Sequence, residues 1–150
     1  MYHDQTAKGS YILLITLPET QTLRIGSRRV IHFQRGYYAY VGSAMGGFNP
    51  RLSRHLKENK NNHWHIDYLL QKASISGIII CTTGDRLECT IARALSARFS
   101  AVPGFGSSDC RCPSHLFFAT GKRQMKAAIT VELNRLGTKP EAVIIQERRD

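Results

Sequence analysis

The 150-residue sequence has no long hydrophobic run and no apparent targeting segment. Its longest apolar stretch, residues 11–17, is far shorter than the roughly 20 residues that a transmembrane helix needs. The N-terminal residues also lack the basic segment and apolar stretch of a secretory signal. These absences argue against a membrane or secreted protein, and we expect a cytoplasmic one.

Internal repeats and low-complexity linkers are also absent, because the glycines and prolines fall singly between short periodic segments. We therefore expect one domain that spans residues 1–150. A chain of this length buries roughly 68–70% of its unfolded surface, which is enough for an independent core.

Acidic residues are scarce: 11 Asp and Glu stand against 21 Lys and Arg, for a net charge of +10. Arginine supplies 14 of the positive charges. Because the planar guanidinium suits bidentate binding of phosphate, we predict a nucleic acid and not a membrane as the partner. The alternative is that like charge only keeps the protein in solution.

The chain has four cysteines, and a cytoplasmic location predicts free thiols rather than disulfides. Cys110, Cys112 and His115 could supply three zinc ligands, with His63 or His65 as the fourth. However, Cys-x-Cys is not the usual spacing of a structural zinc site, so we expect no bound zinc. A cysteine nucleophile paired with His115 is a further alternative, which depends on their proximity in space.

Hydrophobic patterns and turn residues predict a mixed α/β protein with a small, largely antiparallel sheet flanked by helices. Asn49 and Pro50 predict the N-cap and first turn of the first helix, which should end near residue 59. The predicted strands are residues 10–17, 22–26, 29–34, 36–43, 77–82 and 114–120, and residues 142–145 are either an edge strand or a loose segment. The other predicted helices are residues 65–73, 86–99 and 122–136.

The helix that opens at Pro50 carries Arg51 and His55, which are four residues apart and therefore project from one face. A cation beside an imidazole suits phosphodiester chemistry, since one neutralises charge and the other moves a proton. Taken alone, an Arg and a His at this spacing usually belong to a solvated helix face.

Two short strand motifs, Gly9-Ser10-Tyr11 and Tyr40-Val41-Gly42, precede that helix, and Glu88 follows on a later one. This order of motifs resembles the GIY-YIG nuclease superfamily over about residues 9–100. The stretches NHWHIDYLL, ECTIARAL and FGSSDCRCPSHLFF are similar to its Uri branch, whose members also occur joined to endonuclease-III-type DNA glycosylases. Residues 101–150 would be an extension specific to that branch. We assign the 28 residues between Tyr11 and Tyr40 to the hairpin at 22–34.

The resemblance implies a metal-dependent DNA endonuclease with a role in DNA repair. It implies that Glu88 holds one divalent cation, Mg²⁺ or Mn²⁺, and that Arg51 binds the scissile phosphate. Tyr11 and Tyr40 would position or deprotonate the attacking water, and His55 would assist proton transfer. A single carboxylate is sufficient, because Mg²⁺ often keeps water and substrate phosphate in its shell.

Contacts to the DNA backbone are predicted for five further residues: Ser43, Arg54, Lys57, Lys60 and Arg111. Trp64 could stack on a base, although a core position is the simpler interpretation.

The catalytic assignments have structural alternatives. Asp85 and Glu88 also fit a helix capping box, in which Glu88 has no catalytic task. Tyr11 and Tyr40 could be core aromatics with tethered hydroxyls. Two other functions stay open, a nucleic-acid-binding module without turnover and a zinc-stabilised interaction domain. A requirement for Mg²⁺ or Mn²⁺ in DNA nicking would separate the nuclease from both.

Overall fold

The computed structural model describes residues 7–27, 29–57 and 61–143. In these ranges the strands are β1 (Gly9–Leu17), β2 (Gln21–Ile25), β3 (Arg29–Phe33), β4 (Gly36–Ala44), β5 (Ser74–Thr82), β6 (Ser100–Ala101), β7 (Leu116–Ala119) and β8 (Pro140–Val143). The helices are α1 (Phe48–Leu56), α2 (His65–Leu70), α3 (Glu88–Ser96) and α4 (Lys122–Arg135). No helix in this part of the chain has the length and apolar character needed to cross a membrane.

Six strands form one sheet in the order β6-β7-β4-β1-β5-β8, and every neighbouring pair is antiparallel. The strand β1 lies inside the sheet, where it pairs with β4 on one side and β5 on the other. Strands buried on both faces are expected to be hydrophobic almost throughout, as β1 is. The arrangement confirms the predicted mixed α/β class with a largely antiparallel sheet.

Alternate side chains of β1 enter two separate hydrophobic clusters, as the two-residue period of a strand requires. Ile12 and Leu14 pack on the face that α3 and α4 cover. Tyr11, Leu13 and Ile15 pack on the opposite face, with α1, α2 and the hairpin of β2 and β3. The chain therefore places Tyr11 on the same side of the sheet as α1.

The hairpin of β2 and β3 forms a second, two-stranded sheet of its own. It leaves β1 and β4 directly paired, with Tyr11 opposite Gly42 and Leu13 opposite Tyr40. The long insertion between the two tyrosine motifs therefore does not separate them in space.

Several element boundaries differ from the predictions. The helix α1 begins at Phe48, so the prediction of Asn49 as its N-cap was wrong. Gly47 is the N-cap, with φ of 118°, a conformation that favours glycine. Pro50 is tolerated within the first turn because its missing N–H would have no partner within the helix. The helices α2 and α3 are shorter than predicted, the two-residue strand β6 was not predicted, and residues 58–60 and 144–145 lie outside the described part.

Candidate active site

Four of the five predicted catalytic residues line one cleft, with a cavity volume of about 390 Å³. They come from four separate elements, since β1 carries Tyr11, β4 carries Tyr40, α1 carries Arg51 and α3 carries Glu88. The remaining lining residues are Gly42, Ser43, Met45, Gly46, Trp64, Arg86, Gly106 and Asp109. This set is called the cleft below.

The absence of a side chain at Gly42 allows Tyr11 to occupy its position. A Cβ atom at position 42 would overlap Cζ and Oη of Tyr11. No side chain at position 42 is compatible with that approach, so the glycine of the second motif leaves the space that the tyrosine of the first motif occupies. The two motifs are therefore parts of one packing unit.

Tyr11 and His55 form a buried hydrogen bond, with 2.6 Å between Oη and Nε2. Burial, followed by the nearby Tyr40, raises the pKa of Tyr11 well above its ordinary value, and Arg51 offsets only part of that effect. The phenol therefore stays protonated, and its O–H donates the hydrogen bond when Nε2 of His55 carries no proton. His55 does not line the cleft itself but lies directly behind Tyr11, with 3% of its surface exposed.

The ring of Tyr40 makes edge contacts with the rings of His55 and Phe105. Ring centroids are 6.2 Å apart for Tyr40 and His55 and 6.3 Å apart for Tyr40 and Phe105. Burial raises the pKa of Tyr40, and the Glu88 carboxylate raises it further. Both tyrosines of the cleft are therefore neutral hydrogen-bonding groups at physiological pH.

Two arginines of α1 stack on Trp64, with guanidinium carbons 4.4 Å (Arg51) and 4.2 Å (Arg54) from the ring centroid. Arg51 lines the cleft, whereas Arg54 forms two hydrogen bonds of 2.9 Å with the carboxylate of Asp67. The structure therefore gives Arg54 a positioning task, in addition to any contact with DNA, because it ties α1 to α2 beneath Trp64.

Asp67 has a fully buried side chain, and its Oδ2 also accepts the backbone N–H groups of His63 and Trp64. Burial opposes ionisation, but the hydrogen bonds from Arg54 and from these two backbone groups outweigh it and lower the pKa of Asp67 below 3.8. The carboxylate therefore stabilises the fold above that pH, and this contribution is lost as the pH falls through the lowered pKa.

We expect Asp67→Asn to lower the free energy of unfolding by about 2 kcal/mol at neutral pH, since hydrogen bonds to charged groups contribute that much. The deficit should shrink as the pH falls from 4 toward 2, because the parent protein then loses the same carboxylate. Thermal unfolding across this pH range measures it, with the exposed Asp85→Asn as control. A deficit that does not depend on pH would contradict this role for Asp67.

Glu88 is the first residue of α3, and Leu87 is the N-cap without a side-chain cap hydrogen bond. The capping-box alternative was therefore wrong, because Glu88 does not occupy the third helical position that this motif requires. Its Oε1 lies 2.8 Å from Nδ1 of His115, and 28% of its side chain is exposed. The carboxylate is thus oriented by a buried histidine and still accessible from the cleft.

Two charged residues of the cleft were not predicted, Arg86 and Asp109. Arg86 lies two residues before Glu88, and Asp109 lies in the loop that leads to β7. Asp109 belongs to a stretch that carries the family resemblance, and Arg86 lies two residues before another, so position and charge were the signals by which they could have been found. Asp109 adds a second carboxylate to the cleft, and Arg86 adds a second cation beside Arg51.

The predicted DNA-contacting residues are distributed around this site. Ser43 lines the cleft, whereas Lys57 and Arg111 are exposed outside it. Lys60 lies outside the described residues.

Cys89, Cys110, Cys112 and His115 form a compact cluster, with potential ligand atoms all within 4.8 Å of one another. The cluster could hold a metal ion. It joins α3 to the loop before β7, and its fourth member is Cys89 in place of His63 or His65, which the zinc alternative had considered. His65 instead accepts a hydrogen bond on Nδ1 from the backbone N–H of Gly106.

Comparisons with known proteins add one finding to this geometry. No curated protein and no solved structure matches the chain. A family model does match residues 10–138, which include Tyr11, the second tyrosine motif, the cleft and the cysteine cluster. The chain therefore belongs to the family of the domain of unknown function DUF123.

Proposed function

We propose that this protein is a metal-dependent endonuclease that hydrolyses phosphodiester bonds in DNA, as its resemblance to the Uri branch of GIY-YIG nucleases implies. The observation that supports the proposal is the convergence of Tyr11, Tyr40, Arg51 and Glu88 on one cleft, with His55 bonded to Tyr11. These side chains come from sequence positions far apart, and a purely structural role would not require all of them to face one cavity.

The charge of the cleft suits a phosphodiester. Arg51 and Arg86 both line it, and stacking on Trp64 restricts the Arg51 guanidinium to one face of the cleft. Cations held in place before the reaction stabilise the negative charge that develops on a phosphate in the transition state. The net charge of +10 would hold the remaining DNA backbone against the protein.

The hydrogen bond between Tyr11 and His55 provides a route for the proton of the attacking water. Because the phenol is neutral, it cannot accept a proton unless it releases its own. Tyr11 can pass its proton to Nε2 of His55 as its oxygen receives one from water, which leaves the charge on the imidazole. Tyr40 would position the water by a hydrogen bond.

The carboxylates of the cleft fit a hard divalent cation. Glu88 and Asp109 offer oxygen ligands in one cavity, and Mg²⁺ is commonly bound by one or two carboxylates plus water and phosphate. Mg²⁺ or Mn²⁺ held there would stabilise negative charge on the phosphate. His115, with Nδ1 2.8 Å from Oε1 of Glu88, would hold this carboxylate in place.

The test is nicking of supercoiled plasmid DNA by the full chain. We expect nicked product in the presence of Mg²⁺ or Mn²⁺ and none in a chelator that removes both. Addition of Mg²⁺ in excess over the chelator should restore cleavage, which excludes damage by the chelator.

The alternative, a binding module without turnover, predicts a different pair of results. Such a protein would bind DNA with a log–log salt dependence of about −0.9 per phosphate contacted, yet nick none of it in any divalent cation. That pair of results would overturn the nuclease proposal and favour the binding module.

A further inference from the structure

We propose that the cysteine cluster is a structural zinc site, in which Cys89, Cys110, Cys112 and Nε2 of His115 bind one Zn²⁺. The site is distinct from the cation position at Glu88 and does not depend on the nuclease function. It replaces the expectation, drawn from the Cys-x-Cys spacing, that the protein binds no zinc.

The geometry of the cluster is close to that of a bound ion. Zinc takes four ligands in a tetrahedron, with Zn–S of about 2.3 Å and Zn–N of about 2.0–2.1 Å, so its ligand atoms lie about 3.5–3.8 Å apart. Sγ of Cys110 is already 3.4 Å from Nε2 of His115. The other separations reach at most 4.8 Å, and small side-chain movements would close them.

The donor set selects zinc over the hard cations. Sulfur and imidazole ligands favour zinc, whereas Mg²⁺ and Mn²⁺ prefer oxygen. Three thiols and one imidazole fill the tetrahedron and leave no open position for water or substrate, which is typical of a structural and not a catalytic site.

The Cys-x-Cys spacing argued against zinc because it leaves out Cys89, which comes from a distant part of the chain. Cys110 and Cys112 are too close in sequence for the usual zinc motif, but Cys89 comes from the first turn of α3 and His115 directly precedes β7. The ion would join the first turn of α3 to the segment before β7. The ion would mainly stabilise the loop at 103–113, which contains no helix or strand.

Glu88 completes the arrangement from the other side of the histidine. With Nε2 on the metal, Nδ1 of His115 carries the proton and faces Oε1 of Glu88 at 2.8 Å. Metal-binding histidines commonly donate to a carboxylate in this way, which fixes both the tautomer and the ring. The zinc ion would thereby also orient the carboxylate that faces the cleft.

A nucleophilic Cys110 activated by His115 would also account for the distance of 3.4 Å between them. That interpretation leaves the convergence of Cys89 and Cys112 on the same atoms unexplained. His115 is moreover buried, with 2% of its surface exposed, and its other ring nitrogen lies at ion-pair distance from Glu88. The metal site accounts for all four members together.

The test is elemental analysis of the full chain, purified under reducing conditions without added metal. We expect about one zinc per chain, as for a site with four protein ligands. Cys89→Ser and Cys112→Ser should lose most of it, whereas Cys81→Ala should keep it, because Cys81 is a buried free cysteine outside the cluster. Thermal unfolding should shift to lower temperature after chelation in the parent protein but not in Cys112→Ser.

A second measurement covers variants that fail to fold. The ¹¹³Cd NMR spectrum of the parent protein loaded with cadmium should show one resonance at the chemical shift of three thiolates and one nitrogen. The proposal is overturned by zinc retained in both serine variants, by a disulfide within the cluster under reducing conditions, or by no bound metal after addition of zinc. None of these measurements uses nuclease activity, so they succeed or fail independently of the proposed function.

Discussion

Replacing Glu88 with glutamine is expected to abolish Mg²⁺-dependent nicking of plasmid DNA while sparing the fold. An amide binds a divalent cation poorly, although it has nearly the shape of the carboxylate and can still lie beside Nδ1 of His115. Metal stabilisation of the transition state contributes several kcal/mol and each 1.4 kcal/mol is a factor of ten, so the rate should fall by about three orders of magnitude. Initial rates at saturating Mg²⁺ measure the effect.

The matched control is Asp85→Asn, which removes an exposed carboxylate three residues earlier, outside the cleft. It should nick at the parent rate. Zinc content and melting temperature should stay close to the parent values in both variants, which separates loss of the cation from loss of structure. Parent-rate nicking by Glu88→Gln would end the assignment of the cation to this residue.

The second large effect is expected for Tyr11→Phe, which removes the hydroxyl between the cleft and His55 and leaves the ring in place. Proton transfer by a positioned side chain contributes roughly 10²–10⁴-fold to a rate, and we expect a loss in that range. The lost hydrogen bond should lower the free energy of unfolding by only about 1 kcal/mol. Nicking rate and thermal unfolding, measured on the same sample, distinguish the two effects.

Tyr38→Phe provides a control with the same chemical change. Tyr38 is also buried, and its hydroxyl donates to the backbone carbonyl of Gln34, away from the cleft. It should lose similar stability and no activity. If both variants lost activity in proportion to their stability, Tyr11 would be a core aromatic, as one interpretation of the sequence allowed.

The elements that carry the site could be predicted because their signals are local. The apolar run around Tyr11 predicts a strand, and the four-residue spacing of Arg51 and His55 predicts one helix face. Both features depend on residues close together in sequence. The order of the motifs then supplied the expectation that Glu88 belongs with them.

The remaining features depend on contacts between distant segments. Nothing near Arg54 in the sequence indicates that it forms an ion pair with a buried Asp67. The 21-residue separation of Cys89 from Cys110 likewise gives no sign that they lie close together. Turn chemistry also misled, because Asn49 suits an N-cap that Gly47 in fact occupies. Each of these differences arises from tertiary packing, which overrides local preference.

The residues that line the cleft differ in how easily their backbone can open, because Tyr11 lies on the interior strand β1 and the two carboxylates do not. Tyr11 lies on a strand hydrogen-bonded along both edges, so its amide should exchange with solvent only when the whole sheet opens. Glu88 and Asp109 belong to a helix end and a loop, which can open at a lower free-energy cost. The Tyr11 phenol, with the His55 imidazole behind it, would thus form a fixed wall, whereas Glu88 and Asp109 would keep their positions only while the cysteine cluster anchors their helix end and loop.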